Sequence, residues 1–221
     1  MVSTEPDEDM LIINRQAIYN MVKFGSRALG RRKVLNVRFL PAQYIDAFKN
    51  IVSILNKKKI NYMFVGALPV NVYGRERTTR DIDVVLVAGK KELNDIFPSF
   101  RYSLVYPDNF DVIKNVAKFR DRKTDILIDV LLNPEEFTFT SETFNRKQKV
   151  MVGKSIGFVP SAEDYVVSKL KAARAGSSDF QDIVSVLMKN KEKIDWIYLE
   201  RRAKEENKLY LLSHYKGLLK A

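Results

Sequence analysis

The stretch Gly74-Arg-Glu-Arg77-Thr-Thr79-Arg-Asp81-Ile-Asp83-Val-Val-Leu-Val87 sets two carboxylates at alternate positions where an apolar run begins. Successive side chains of a β-strand point to opposite faces, so Asp81 and Asp83 share one face while Ile82, Val84 and Leu86 share the other. Two like charges held this close repel each other, and a divalent cation relieves the repulsion. Hard cations such as Mg2+ prefer carboxylate oxygens. The chain has no cysteine and one histidine, His214, so thiol chemistry, the usual zinc sites and serine-histidine triads lack material. Carboxylates must carry any metal or acid-base chemistry.

With 221 residues and 46% hydrophobic content, the chain is long enough for one mixed domain of good size or two small ones. The 38 Lys and Arg outnumber the 27 Asp and Glu, and the resulting charge of +11 favours polyanionic partners: RNA, DNA or nucleoside triphosphates. The first nine residues are acidic and polar, and no apolar run approaches the ~18 residues of a membrane span. A soluble cytoplasmic protein without membrane contact is expected.

Around the Asp pair, strand and helix signals alternate. Residues 1–9 read as disordered, and 10–36 combine a short amphipathic segment with the basic stretch 27–33. Pro41 opens a helix in which Tyr44, Ile45, Phe48, Ile51, Val52 and Leu55 recur at helical spacing. Residues 60–66 read as a buried strand ending at Gly66, 67–73 as a short helix, 90–97 as a helix and 102–106 as a strand. Residues 115–120 and 125–132 form a hairpin around Asp121-Arg-Lys-Thr, and 149–152 with 156–159 form a second about Gly153. From Ser161 onward the pattern is helical. The predicted fold is α/β (α+β): an N-terminal extension over 1–40, an α/β unit with a mixed sheet flanked by helices over 41–160, and a helical C-terminal unit over 161–221.

Two further features bear on the Asp pair. The strand ending at Gly66-Ala67 meets the mouth of a helix, where free backbone N–H groups can hold phosphate oxygens. Downstream, Asp129 sits between Ile128 and Val130 in an apolar run, a costly place for a charge without a ligand. Its rival, Asp125, begins the same strand beside a polar turn and reads as a turn residue. Three converging carboxylates can hold two metal ions about 4 Å apart and support an in-line phosphoryl or nucleotidyl displacement.

In this order of elements the chain resembles the DNA polymerase β-like nucleotidyltransferase superfamily. The elements are the Gly66-Ala67 turn, then Gly74-x-x-Arg77-x-Thr79-x-Asp81-Ile-Asp83, then a hydrophobic strand carrying Asp129. The arrangement looks most like the abortive-infection and type IV toxin-antitoxin nucleotidyltransferases. Their helical half is echoed by Pro160-Ser-Ala-Glu-Asp164, Lys169-Leu-Lys-Ala-Ala-Arg174 and Asp179-Phe-Gln-Asp182.

The resemblance implies an enzyme that moves a nucleoside monophosphate from a triphosphate (NTP) to a hydroxyl acceptor with Mg2+ or Mn2+. It makes Asp81, Asp83 and Asp129 catalytic residues and metal ligands, with Asp129 also activating the acceptor. Gly66, Ala67 and Lys169 would contact the triphosphate, and Asp182 with Asp179 would form an acidic helix motif that supports it. Arg77 and Thr79 are candidates to orient substrate, against local ion pairing and capping. With the basic charge, RNA, especially tRNA, is the preferred acceptor and a protein the next, with a cognate antitoxin as a further partner. Two positions depart from the family pattern. Ala67 supplies no hydroxyl in the glycine turn, and Ser178 replaces a basic residue before the acidic motif. They favour the alternative, a catalytically inactive module that binds nucleic acid or a partner protein. Trp196 and Tyr198 read as core residues, and His214 as a surface or packing residue.

Overall fold

Alternation along residues 81–87 places Ile82, Val84 and Leu86, each fully buried, on one face of a sheet and the two aspartates on the other. Burying each apolar side chain is worth about 1.5–3 kcal/mol. A one-residue slip would exchange the faces and drive both carboxylates into the core, so the register of this strand is strongly fixed.

The computed structural model describes residues 34–37, 40–97, 100–109, 113–132, 134, 138–172 and 178–219. In chain order its elements are β1 (Leu35–Asn36), α1 (Ala42–Lys57), β2 (Asn61–Phe64), α2 (Ala67–Tyr73), β3 (Asp81–Val87), α3 (Lys90–Ile96), β4 (Tyr102–Tyr106), β5 (Val116–Asp121) and β6 (Leu127–Leu131). There follow α4 (Ser141–Arg146), β7 (Gln148–Val152), β8 (Ser155–Val159), α5 (Ala162–Ala172), α6 (Asp179–Asn190), α7 (Trp196–Glu205) and α8 (Leu209–Leu218).

One sheet has the order β2-β3-β6-β5-β4, and a smaller one the order β1-β7-β8. In the larger sheet β3 and β6 run parallel and all other neighbours antiparallel. The sheet is therefore mixed, as the sequence leads one to expect, and both expected hairpins form.

Helix α1 buries Tyr44, Ala47, Phe48, Ile51, Val52 and Leu55, a three-and-four spacing that makes one continuous stripe. With Ile82, Val84, Leu86, Ile128 and Val130 it forms the main core, which continues into Val166 and Leu170 of α5, Ile183 and Val186 of α6 and Leu212 of α8. The opposite face of the sheet is covered by a smaller cluster: Met63, Val65, Val85, Phe139 and Phe144. That cluster shields the β3 face beyond Asp83 and leaves its start uncovered.

Two elements carry no clear sequence signal. Helix α4 is a single short stretch whose Thr140 cap accepts from the Thr143 N–H, and β1 is two residues that borrow their pairing from β7. The amphipathic segment and the basic stretch both lie within residues 1–33, outside the described residues. No helix among the described residues is long and apolar enough to cross a membrane.

Candidate active site

The parallel register of β3 on β6 sets Asp83 directly opposite Asp129, and the antiparallel register of β5 on β6 sets Asp129 opposite Lys118. Three neighbouring strands thus carry a row, Asp83–Asp129–Lys118, along the site face of the sheet. The Lys118 ammonium contacts both oxygens of Asp129, at 2.8 Å and 3.0 Å. Asp81 continues the cluster two residues before Asp83. Its carboxylate accepts from the Thr79 hydroxyl at 2.9 Å, and the same hydroxyl lies 2.8 Å from the Asp81 carbonyl oxygen. Thr79 is buried, so in this structure it fixes Asp81 from beneath. Asp125 is an exposed turn residue with φ 60°, paired to Arg120 at 2.6 Å, in keeping with its turn reading.

Gly66 lies against the Asp83 carboxylate. A Cβ at this position would stand 1.9 Å from Oδ2 of Asp83, and the backbone adopts φ 62° with ψ −126°. Only glycine takes this conformation freely. The adjoining Val65 N–H donates to the Asp83 carbonyl at 2.9 Å, which ties the turn to β3. Ala67, the first residue of α2, is buried behind it. Gly66 and Ala67 therefore come together with Asp83 at one end of the sheet.

The loop between α2 and β3 is held from two sides. Asn71 clasps Arg77, its carbonyl oxygen accepting from the Arg77 N–H and its amide donating to the Arg77 carbonyl, both at 2.7 Å. Helix α6 supplies the other grip. Asp182 is fully buried, and its carboxylate takes Arg75 at 2.8 Å on one oxygen and Arg77 at 2.9 Å on the other. Three residues on, Ser185 accepts from the Arg75 N–H at 3.1 Å; Lys189 donates to the Gly74 carbonyl at 2.6 Å and Asn190 to the Tyr73 carbonyl at 2.7 Å. Asp182, Ser185, Lys189 and Asn190 lie on one stripe of the helix. Gly74 has no room for a side chain under this grip, since a Cβ would meet Ser185 Oγ at 2.4 Å.

Lys169 joins the same cluster, pairing with Asp179 at 2.7 Å and approaching Asp182 at 3.7 Å. The structure thus brings Arg77, Lys169 and Asp182 together, and Asp182 reaches the site through the cations it holds. Arg174 lies outside the described residues. Two participants, Lys118 and Arg75, have no signal in the sequence motif alone. Lys118 becomes visible only once the β5–β6 hairpin is counted in register. Tyr198 is buried, Trp196 packs partly buried against the core and His214 is exposed.

The charges tell on one another. Burial pushes the Asp83 carboxyl up to about 6, with the neighbouring charges of Asp81 and Asp129 adding to the rise and Lys169 and Lys118 opposing it. Lys118 is held above its ordinary range, first by its hydrogen bond to Asp129. Oxygen donors on one face with mutual repulsion suit a hard divalent cation. Asp81, Asp83 and Asp129 are the residues that could hold one. Among the described residues, no three ligand side chains are already gathered into a cage, and Asp129 is engaged by Lys118.

A raised carboxyl pKa means that the folded state binds this proton more tightly than the unfolded one. Stability without metal should then fall as pH rises from about 3.8 through about 6. Two pKa units convert to at most ~3 kcal/mol. Asp83→Asn is expected to stabilise the metal-free fold by about 1–3 kcal/mol at pH 7.5 and to lose that gain by pH 4. Chelator-treated melting curves at both pH values check this; equal gains at both would refute the assignment of strain to the Asp83 charge.

No curated protein sequence matches the chain. Among solved structures, an antigenic nucleotidyltransferase-like protein from Paracoccidioides brasiliensis is 18% identical, with a TM-score of 0.49 over 67% of this chain and 77% of that one. ANT(2'')-Ia in complex with adenylyl-2''-tobramycin is 10% identical, with a TM-score of 0.49 over 76% of this chain and 99% of that one. The family described as "Nucleotidyltransferase of unknown function (DUF6036)" matches residues 42–216, which include the carboxylate row, the glycine turn and the α6 grip. The chain belongs to this nucleotidyltransferase family.

Proposed function

We propose that the protein transfers a nucleoside monophosphate from a nucleoside triphosphate to a hydroxyl acceptor, with Asp81, Asp83 and Asp129 as its catalytic and metal-binding residues. The reading rests above all on the register that sets Asp83 beside Asp129, with Asp81 on the same face and the Gly66 turn against it. A bound Mg2+ or Mn2+ would supply charge neutralisation of the triphosphate and a polarised α-phosphorus. The protein's own groups do the rest.

Backbone N–H groups at Gly66 and Ala67 face the triphosphate, with Lys169 and Arg77 as cations beside it. Thr79 keeps Asp81 in place. Asp129 accepts the hydrogen bond of the acceptor hydroxyl and takes its proton as the new P–O bond forms, while the bond to the bridging oxygen breaks and pyrophosphate leaves. Positioning and electrostatics dominate such a displacement, so a strong base is not required. Asp182 acts as a positioning residue through Arg75, Arg77 and Lys169.

The charge of +11 favours RNA, and tRNA in particular, as acceptor, with a protein hydroxyl next. In the second case a cognate antitoxin would fit as partner, in the manner of toxin-antitoxin pairs, and this reading goes with a cytoplasmic enzyme. The test is incubation with each α-labelled nucleoside triphosphate, Mg2+ and total RNA or cell protein, beside Asp81→Asn. Label is expected to enter RNA or protein with the wild type and to fall at least a hundredfold in the variant, with the melting temperature retained. Full labelling by Asp81→Asn would mean that the site is misassigned. Salt-dependent RNA binding with no labelling by either protein would favour an inactive binding module.

A further inference from the structure

Lys118 is the one cation in the carboxylate row, and the fold does not require it there. Strands β5 and β6 are paired along their whole length by backbone bonds. Lys118 is 32% and Asp129 21% exposed, and an ion pair this open adds little stability. The ammonium hydrogen-bonds Oδ2 of the carboxylate that neighbours Asp83, at 3.0 Å, and lies 2.8 Å from its Oδ1, which has no hydrogen-bond partner among the described residues.

The charge count shows what it does. Asp81, Asp83 and Asp129 carry three negative charges when ionised; Lys169, the other cation felt by Asp83, is already paired with Asp179 and Asp182, so Lys118 cancels one and leaves the amount that a single divalent ion neutralises. A second ion at Asp129 would have to displace the ammonium or stand against a like charge within a few ångströms.

We propose, resting on the reading of these aspartates as the cation-binding end of a nucleotidyltransferase site, that in the nucleotide-free protein Lys118 takes the place of one divalent cation at Asp129, which becomes a metal ligand only in the substrate-loaded site. Before substrate arrives, the protein binds one ion at Asp81 and Asp83, and the Lys118 ammonium neutralises Asp129 as a built-in positive charge. Lys118 is thereby a positioning residue that holds Asp129 toward the acceptor side of the site.

Mn2+ titration of the full chain without nucleotide, followed by the electron paramagnetic resonance signal of the free ion, tests this. The wild type is expected to bind one Mn2+. Lys118→Met, which keeps the length of the stem and removes the charge, should admit a second ion or bind Mn2+ at least tenfold more tightly, while Lys118→Arg stays with one. Asp81→Asn should lose the wild-type ion. An isotherm for Lys118→Met that overlays the wild type, or two equally tight ions in the wild type, overturns the role of Lys118 and leaves the aspartate site standing. A wild type that binds no Mn2+, or an ion that Asp81→Asn retains, overturns the aspartate site and the role of Lys118 together. Melting curves of the three variants establish that each is folded; if Lys118→Met is not, Lys118→Gln replaces it.

Discussion

Gly66→Ala is expected to cost the protein more than about 3 kcal/mol. Two separate penalties combine. The backbone at Gly66 has φ 62° and ψ −126°, a region that an L side chain enters only under strain of about 1–3 kcal/mol. The new methyl would also stand 1.9 Å from Oδ2, 2.6 Å from Cγ and 3.0 Å from Cβ of Asp83, so the turn or β3 must shift. At roughly 2–4 °C per kcal/mol for a chain of this size, the melting temperature should fall by about 6 °C or more. Coupling to Asp83→Ala separates the penalties, because shortening Asp83 relieves the clash and leaves the backbone strain. A Gly66→Ala protein that melts with the wild type would show that the turn is not packed on Asp83.

Asp182→Ala is the second large effect. Its carboxylate is fully buried and serves Arg75, Arg77 and, more loosely, Lys169. Removing one member of a buried pair costs about 3–5 kcal/mol when the partner stays buried and uncompensated. Arg75 and Arg77 are about a third exposed and can turn to water, so about 2–4 kcal/mol is expected from urea denaturation. The loss should concentrate in the loop it holds. Trypsin should cut after Arg75, Arg77 or Arg80 faster in Asp182→Ala than in the wild type, and nucleotidyl transfer should fall with the order of the segment leading into Asp81. An unchanged cleavage rate would limit Asp182 to packing α6.

The parts of this molecule that sequence reveals are those written in local periodicity. The stripe of α1 from Tyr44 to Leu55 and the alternation of β3 specify both faces of the sheet, and Gly66 and Gly153 mark turns where positive φ is needed. Asp129 stands out because a charge amid Ile128 and Val130 demands a reason. What stays hidden depends on register or on distance along the chain. Lys118 looks like any lysine of a strand until Lys118 is counted against Asp129 across the hairpin. Asp182 and Arg75 are 107 residues apart, and no local pattern announces that the acidic position in α6 exists to hold the loop before β3. Helix α4 depends on the packing of its Phe144 against the sheet rather than on the local propensity of its six residues.

The grip of α6 on residues 73–77 has a consequence for synthesis. The strand bearing Asp81 and Asp83, and the hairpin bearing Asp129, leave the ribosome well before residues 182–190, which anchor the loop ahead of that strand. Chains emerge N-terminus first. A nascent chain therefore carries all three carboxylates, and the loop ahead of them, before the helix that holds that loop, and the candidate site is completed only when α6 docks.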